Sequence, residues 1–377
     1  MKTQILSVTP QSLAYAKELI EAGEVVAFHT ETVYGLGADA RNDAAVQKIF
    51  ALKGRPADNP LIAHVHAGFD ITALVETPAY TVRLREKFLP GPLTMVYPSK
   101  GRVSRFVSSG LPTLSLRVPS SPVAQAFLRT VDIPIAAPSA NRSKHVSPVT
   151  AQHVADDFDG DIPLILDGGP CTGGIESTVL DCTGDVPSIL RAGLVTREMI
   201  AAEVGACEVY VPHEGEKPKS PGMAYKHYAP SCRTAFFTAR EAEQAIRCYL
   251  TEQGRGGTPY FLCEHSFLTE HPEYRALDLG ETPWEMAARL YAHLRTGERC
   301  ATLLIGIEPK QDGGVMDGIK NRLLRAFGRS EIREKDVLRG TYEIQEDHLR
   351  LCGQYLPLAN GGGGVKRGAQ KTKDPLV

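Results

Sequence analysis

The chain has 377 residues, 42% of them hydrophobic, and a formal net charge of -2 at pH 7. That is enough apolar material for two cores at roughly 150 residues each, and the balanced charge excludes a chain whose main task is to coat nucleic acid. The eight cysteines show no CxxC spacing, so they read as reduced thiols, not as a disulfide framework or a zinc site.

Residues 1–23 carry charges within a helical pattern and no apolar run of signal-peptide length. No segment is long or apolar enough to span a bilayer, and a cytoplasmic location without membrane contact is expected. From Thr9 to about Ala202, periodicity predicts helices near 11–22, 43–53, 78–89, 121–131, 149–157 and 196–203. Strands are predicted near 24–29, 61–66, 93–98, 113–118, 133–137, 164–167, 177–182 and 187–191. Three of these strands follow one another without a helix between them, which implies an α/β layer structure on a mixed sheet.

Within this region, residues 28–62 combine a buried strand end, the hydroxyls of Thr30 and Thr32, and a helix that leads to Lys53 and Arg55. Gly35 and Gly37 read as a turn where backbone can approach a ligand. Asn42 and Asp43 supply a helix cap, and Pro56 and Pro60 hold both cations on an ordered loop. Four further strand ends have the same polar character. Thr113, Ser115 and Arg117 share a strand face, and the arginine suits a carboxylate or phosphate. The loop after Pro138 carries Ser139, Asn141, Ser143 and Ser147. Gly173 and Gly174 lead to Ser177 and Thr178, and Arg191 closes the fourth.

His64 and His66 alternate on one strand, with no third ligand to make a metal pair. Glu31 and Glu176 are candidates for a magnesium or ammonium contact. No Walker loop, GxGxxG, HExxH or GxSxG pattern occurs, and no residue stands out as nucleophile or general base. Many cations and hydroxyls without a nucleophile suit a reaction made of positioning and charge neutralisation, above all nucleotidyl or phosphoryl transfer.

Periodicity fails between about Gly205 and Cys232, where proline, lysine and glycine are frequent, so this stretch reads as a linker. Beyond it, strands near 234–238, 258–263 and 300–307 alternate with helices near 240–253, 282–297 and 317–327, a small βαβ-type unit of parallel strands. The glycines at 254–257 read as a turn, and the glycine-rich basic end reads as a solvated tail capable of weak RNA contact.

In order along the chain, TETVYGLG (30–37), KGRP with NPL (53–61), SLR (115–117), APSAN (137–141), LDGG to ESTVLD (166–181) and ILRAG (189–193) resemble the motifs of the Sua5/YrdC/TsaC family, threonylcarbamoyl-AMP synthases. SPGMAYKHYAP (220–230) is similar to the linker of the long form, and NRLLRAF (321–327) to part of its C-terminal domain. The resemblance implies a YrdC-like mixed sheet over 1–204, a linker or lid over 205–231, a Rossmann-like Sua5 domain over 232–350 and a disordered tail over 351–377.

It also implies an enzyme that converts L-threonine, bicarbonate or CO2, and ATP with Mg2+ into threonylcarbamoyl-AMP and pyrophosphate. The product would pass to tRNA threonylcarbamoyl-transfer machinery for position 37 of ANN-decoding tRNAs. Thr32, His64, Arg117, Ala137 and Ser177 match the threonine positions. Lys53, Arg55, Asn59, Thr113, Ser139, Asn141, Ser147 and Arg191 match the nucleotide positions, and Tyr225, His227 and Tyr228 match the lid. His29 departs from the family's usual proline, and Ala224 and Lys226 from its usual linker residues. The competing expectation is a non-catalytic RNA- or ribosome-binding factor that uses the same cations as a phosphate groove, a role that needs no amino-acid pocket around Arg117.

Overall fold

The computed structural model describes residues 2–211 and 228–328. Local signals set its helix ends. Thr9 caps Pro10–Glu21 through a reciprocal box with Ser12, and Pro10 opens the helix where its missing N–H costs nothing. Asn42 accepts from the N–H groups of Ala44 and Ala45 at 3.0 and 3.2 Å, starting Asp43–Lys53, which stops at Gly54 in the left-handed region (φ 59°). Ser121, Thr150 and Thr196 cap Pro122–Val131, Ala151–Phe158 and Arg197–Val204. With Thr81–Phe88, these helices fall where periodicity predicts them.

The first domain is built on one 11-stranded mixed sheet. Its strands lie in the order Gln4–Ser7, Leu164–Asp167, Val26–Phe28, Gly35–Asp39, Ile135–Ala136, Ile62–His64, Thr113–Arg117, Leu93–Pro98, Thr178–Asp181, Ser188–Arg191 and Glu208–Val209. Parallel and antiparallel neighbours mix, as expected from strands that follow each other without helices.

The glycines of 35–37 correct the sequence reading. They form a strand antiparallel to Val26–Phe28, not a turn. A Cβ on Gly37 would stand 2.8 Å from Ile135 Cγ2 and 2.9 Å from the Phe28 ring, so glycine here is a packing requirement on a sheet face.

Pro10–Glu21 and Pro122–Val131 cover one sheet face and bury Ile20, Phe28, Phe127 and Leu166. The Phe28 and Phe127 rings are 5.1 Å apart, and burial of each such side chain contributes roughly 1.5–3 kcal/mol. A second apolar cluster begins around Leu36, Val46 and Ile49 and continues without a break to Leu290, Tyr291, Ile319 and Leu323. The core thus runs through both domains.

The second domain has four parallel strands in the order Arg233–Phe237, Leu303–Ile307, Pro259–Cys263 and Ala276–Asp278. The strand Ala276–Asp278 and the helix His265–Glu270 are additions to the expected unit, because both are too short to show a period. Ala242–Gly254 buries Ala245 and Tyr249 against Phe261, and its end at Gly254–Gly256 is the expected turn. Pro283–Cys300 and Val315–Phe327 contribute Leu290, Tyr291, Ile319 and Leu323 to the shared core.

The domains meet closely. A Cβ on Gly174 would stand 2.2 Å from the Ala287 carbonyl oxygen, so the loop before Ser177 lies against the backbone of Pro283–Cys300. No helix among the described residues is long and apolar enough to cross a membrane.

Candidate functional site

Strand register brings the polar strand ends together. His64 pairs with Arg117 on a parallel neighbour and with Ile135 on an antiparallel one, and Gly35 bridges to Ser139. Thr178 pairs with Leu93, which brings Ser177 to the same sheet edge. A cleft with about 750 Å³ of open space lies over this convergence.

His64, Arg117, Ala137 and Ser177 line the cleft, as do Lys53, Arg55, Ser139, Asn141, Ser147 and Arg191. Tyr228, the described part of the expected lid, lines it too, its ring 5.2 Å from that of Tyr291 and tilted 30° to it. Tyr225 and His227 lie outside the described residues. Three sequence candidates do not line it. Thr32 is fully buried with Oγ1 3.0 Å from that of Thr30, and Thr30 occupies the wall. Asn59 is buried, and its backbone carbonyl accepts from Arg55 Nε at 3.1 Å and so helps set the angle of that guanidinium, while its side-chain Oδ1 has no hydrogen-bond partner. Thr113 opens the strand that Arg117 closes, about 13 Å away at 3.3 Å per residue, a span that only a long ligand would bridge.

Sequence reasoning assigned no role to Tyr34, Lys144 or His145, which also form the wall. Their position within two of the quoted polar segments is the only signal that could have found them. Tyr34 is pinned by donating to Asp167 Oδ1 at 2.9 Å and to the Gly169 carbonyl at 2.8 Å. His29 stays off the wall; its Nδ1 is 2.7 Å from Ser121 Oγ and its ring packs edge-on to Tyr34.

The cations are not equally available. Lys53 is 4% exposed and its ammonium donates to the carbonyls of Ser139, at 2.6 Å, and Asn141. Burial, with Arg55 nearby, pushes its pKa well down. Lys53 therefore holds the 139–141 loop in shape as well as lining the cleft. Arg55 donates from Nη2 to the Pro60 carbonyl at 2.9 Å, and Arg191 donates to the Ser177 carbonyl and to its Oγ at 3.3 Å.

The two glutamates both lie in buried ion pairs. Glu31 forms a buried ion pair with Arg117 at 2.8 Å; burial pushes its carboxyl up, but the guanidinium more than offsets this and leaves it below the usual range. Glu176 pairs with Arg322 of the second domain at 3.1 Å. Both oxygens of Glu176 are engaged, whereas Glu31 Oε2 is buried without a hydrogen-bond partner, and among the described residues no group of three or more His, Cys, Asp or Glu is arranged as a metal site. Burial, then Arg117, lowers the His64 pKa to about 3, so the imidazole is neutral at physiological pH. His66 lies beyond the strand, with Nε2 2.9 Å from Asp132, so the two histidines are not a pair.

Ser177 Oγ is 2.8 Å from Thr94 Oγ1, a neighbour that cannot serve as a general base. Burial pushes the Cys171 thiol up, away from thiolate chemistry. The cleft is equipped to align charged groups and to neutralise them.

Comparison with known proteins agrees with this equipment. The Sua5_yciO_yrdC family model, described as telomere recombination, matches residues 18–193, and the model described as threonylcarbamoyl-AMP synthase, C-terminal domain, matches 195–328. A threonylcarbamoyl-AMP synthase of Bacillus subtilis is 41% identical over 341 residues, 88% of this chain and 97% of the relative. One from Pyrococcus abyssi is 38% identical over 83% of this chain and 93% of the relative. The crystal structure of P. abyssi Sua5 complexed with L-threonine superposes with a TM-score of 0.79 at 35% identity, covering 87% of this chain and 98% of that one. With both family models matched in succession and relatives aligned almost end to end, the chain belongs to the Sua5/YrdC family in its two-domain form.

Proposed function

We propose that the protein is a threonylcarbamoyl-AMP synthase, a nucleotidyltransferase that makes L-threonylcarbamoyladenylate from L-threonine, bicarbonate or CO2, and ATP. The observation that carries this reading is the near full-length match to synthases of that name, on a cleft that groups arginines with hydroxyls. The threonine amine adds to CO2 and loses a proton, giving a carbamate. A carbamate oxygen then attacks the α-phosphorus of ATP in line, the bond to the bridging oxygen breaks, and pyrophosphate leaves.

Arg117, His64, Ala137 and Ser177 take the amino acid, with Thr32 acting through Thr30. The guanidinium of Arg117, already oriented by Glu31, meets the threonine carboxylate. Arg55 and Arg191 meet polyphosphate oxygens, with Asn59 setting Arg55 and Lys53 shaping the loop of Ser139 and Asn141. Ser147 and Thr113 complete the nucleotide side. Tyr228 on the cleft wall shields the mixed anhydride from water. Magnesium would enter with ATP as the nucleotide's counter-ion, while Glu176 is held by Arg322, Tyr291 and Ser147. The adenylate would serve threonylcarbamoyl transfer to tRNA.

The test is incubation with labelled bicarbonate, threonine, ATP and magnesium. Threonine-dependent pyrophosphate and a labelled adenylate are expected; the absence of both would falsify the reading.

A further inference from the structure

Glu176 precedes Ser177 on the cleft wall, and its carboxylate is held from both domains. Ser147 Oγ donates to Oε1 at 2.7 Å, while Tyr291 Oη and Arg322 Nε donate to Oε2 at 2.8 and 3.1 Å. Arg322 is 0% exposed. It also donates from Nη2 to the Glu176 carbonyl at 3.3 Å and from Nη1 to the Ala192 carbonyl. One guanidinium of the second domain thus ties together the segments that carry Ser177 and Arg191.

Hydrogen-bond polarity follows from this arrangement. Burial pushes the Glu176 carboxyl up, but Arg322 and then Arg191, with the bonds from Ser147 and Tyr291, bring it down to about 2. A carboxylate only accepts, so the proton of Ser147 is committed to it and the hydroxyl can offer the cleft lone pairs alone. Ser139 has the same polarity: it donates to Asn141 Oδ1 at 2.6 Å. The Asn141 amide is oriented by its own donation to the carbonyls of Arg142 and His145, at 2.9 and 2.8 Å. A phosphate oxygen without a proton finds no bond on either hydroxyl.

We propose that Arg322 and Tyr291, across the domain boundary, are positioning residues that fix the Glu176 carboxylate against Ser147, so that Ser147 meets the nucleotide as an acceptor. Its partner is a hydrogen-bond donor carried by MgATP: a ribose hydroxyl, the exocyclic amine or a metal-bound water. The proposal rests on the nucleotide reading of the cleft, and it makes the second domain a working part of the site.

The test measures ATP binding in magnesium by calorimetry, which does not depend on turnover. In Glu176→Gln the amide oxygen faces Tyr291 and Arg322 and the amide nitrogen faces Ser147, so Ser147 becomes a donor to the cleft. Loss of one matched hydrogen bond and its replacement by a mismatch raises Kd about tenfold. In a Ser147→Ala background the same change moves Kd by less than about twofold, because coupling through Ser147 has gone. Tyr291→Phe, a milder change, carries the same cycle with a smaller rise if Glu176→Gln does not fold.

An equal rise in both backgrounds overturns the proposal, since it marks a general structural effect, and so does no rise at all. Comparison of 2′-deoxy-ATP, 3′-deoxy-ATP and purine riboside triphosphate identifies the donor: the analogue that lacks it binds wild type and Ser147→Ala alike. A protein that shows this pattern but makes no adenylate keeps the proposal and refutes the synthase reading. A wild type that binds no ATP overturns both.

Discussion

Arg295 of the second domain grips Asp157 of the first with two hydrogen bonds, Nη1 to Oδ1 at 2.8 Å and Nη2 to Oδ2 at 3.1 Å. Both side chains are 5% exposed. Arg295 also donates to the Val146 carbonyl at 2.6 Å, and Asp157 accepts from the N–H of Arg142 at 3.0 Å. These contacts reach both ends of the cleft loop that carries Asn141 and Ser147. Arg295→Ala leaves the Asp157 charge buried without its partner and is expected to cost about 3–5 kcal/mol. Urea denaturation reads this directly, and an unchanged midpoint with unchanged slope contradicts it.

The fit of the domains can be probed without touching a charge. Gly174 has φ 69°, and an added Cβ meets Ala287 O at 2.2 Å and Ala288 Cα at 2.5 Å. Gly174→Ala is therefore expected to cost more than about 2 kcal/mol and to loosen the domain contact. Gly54, at φ 59°, has nothing within 4 Å of its Cβ position. Gly54→Ala should cost only the left-handed backbone term, about 1–2 kcal/mol. Equal losses in the two variants would contradict the close approach at Gly174.

Arg117 is assigned to the amino acid and not to the nucleotide. Arg117→Lys keeps a charge but loses the planar fork, and is expected to raise the KM for threonine about tenfold or more. The KM for ATP should change by less than about threefold. Steady-state kinetics with each substrate varied in turn separates the two, and a rise confined to ATP would reverse the assignment.

Acid should unfold the protein in two stages. His64 and His153 have folded pKa values lowered to about 3 and about 4, by burial first and then by Arg117 and Arg295 respectively. The unfolded chain binds the extra protons, so the stability these neutral rings contribute is full above about pH 6.5 and is lost as pH falls below it. Each group contributes a slope of about 1.4 kcal/mol per pH unit. Glu176, lowered to about 2, adds a further loss as pH drops below about 4.5. His153→Gln should flatten the first stage measurably in denaturation midpoints taken between pH 7 and pH 4. A wild-type midpoint that stays level over that window refutes the buried neutral histidines.

Much of the site was legible because the chain marks strand ends with abrupt changes from apolar to polar residues. Ile135 and Ala136 give way to Ser139 and Asn141, and Leu116 to Arg117, and each change lies at the cleft edge. Short-range rules also found the helices of eight or more residues, since caps such as Asn42 and Ser121 act within a few residues. Gly35–Asp39 was misread because glycine signals a turn locally, whereas here the need for it comes from the Phe28 ring and Ile135. Ala276–Asp278 was missed because a three-residue strand has no period to detect.

The sequence by itself determined the alternation of helices and strands, the two-domain plan, the set of cations and hydroxyls, and the family. All of these depend on neighbouring residues or on motif order. Only the tertiary structure decided what each charge does. Lys53 is held by carbonyls of Ser139 and Asn141, more than 80 positions away, and Glu176 by Arg322 at a separation of 146. A charge's role depends on burial and on which partner lies within hydrogen-bond reach, and both are set only when distant segments are packed together.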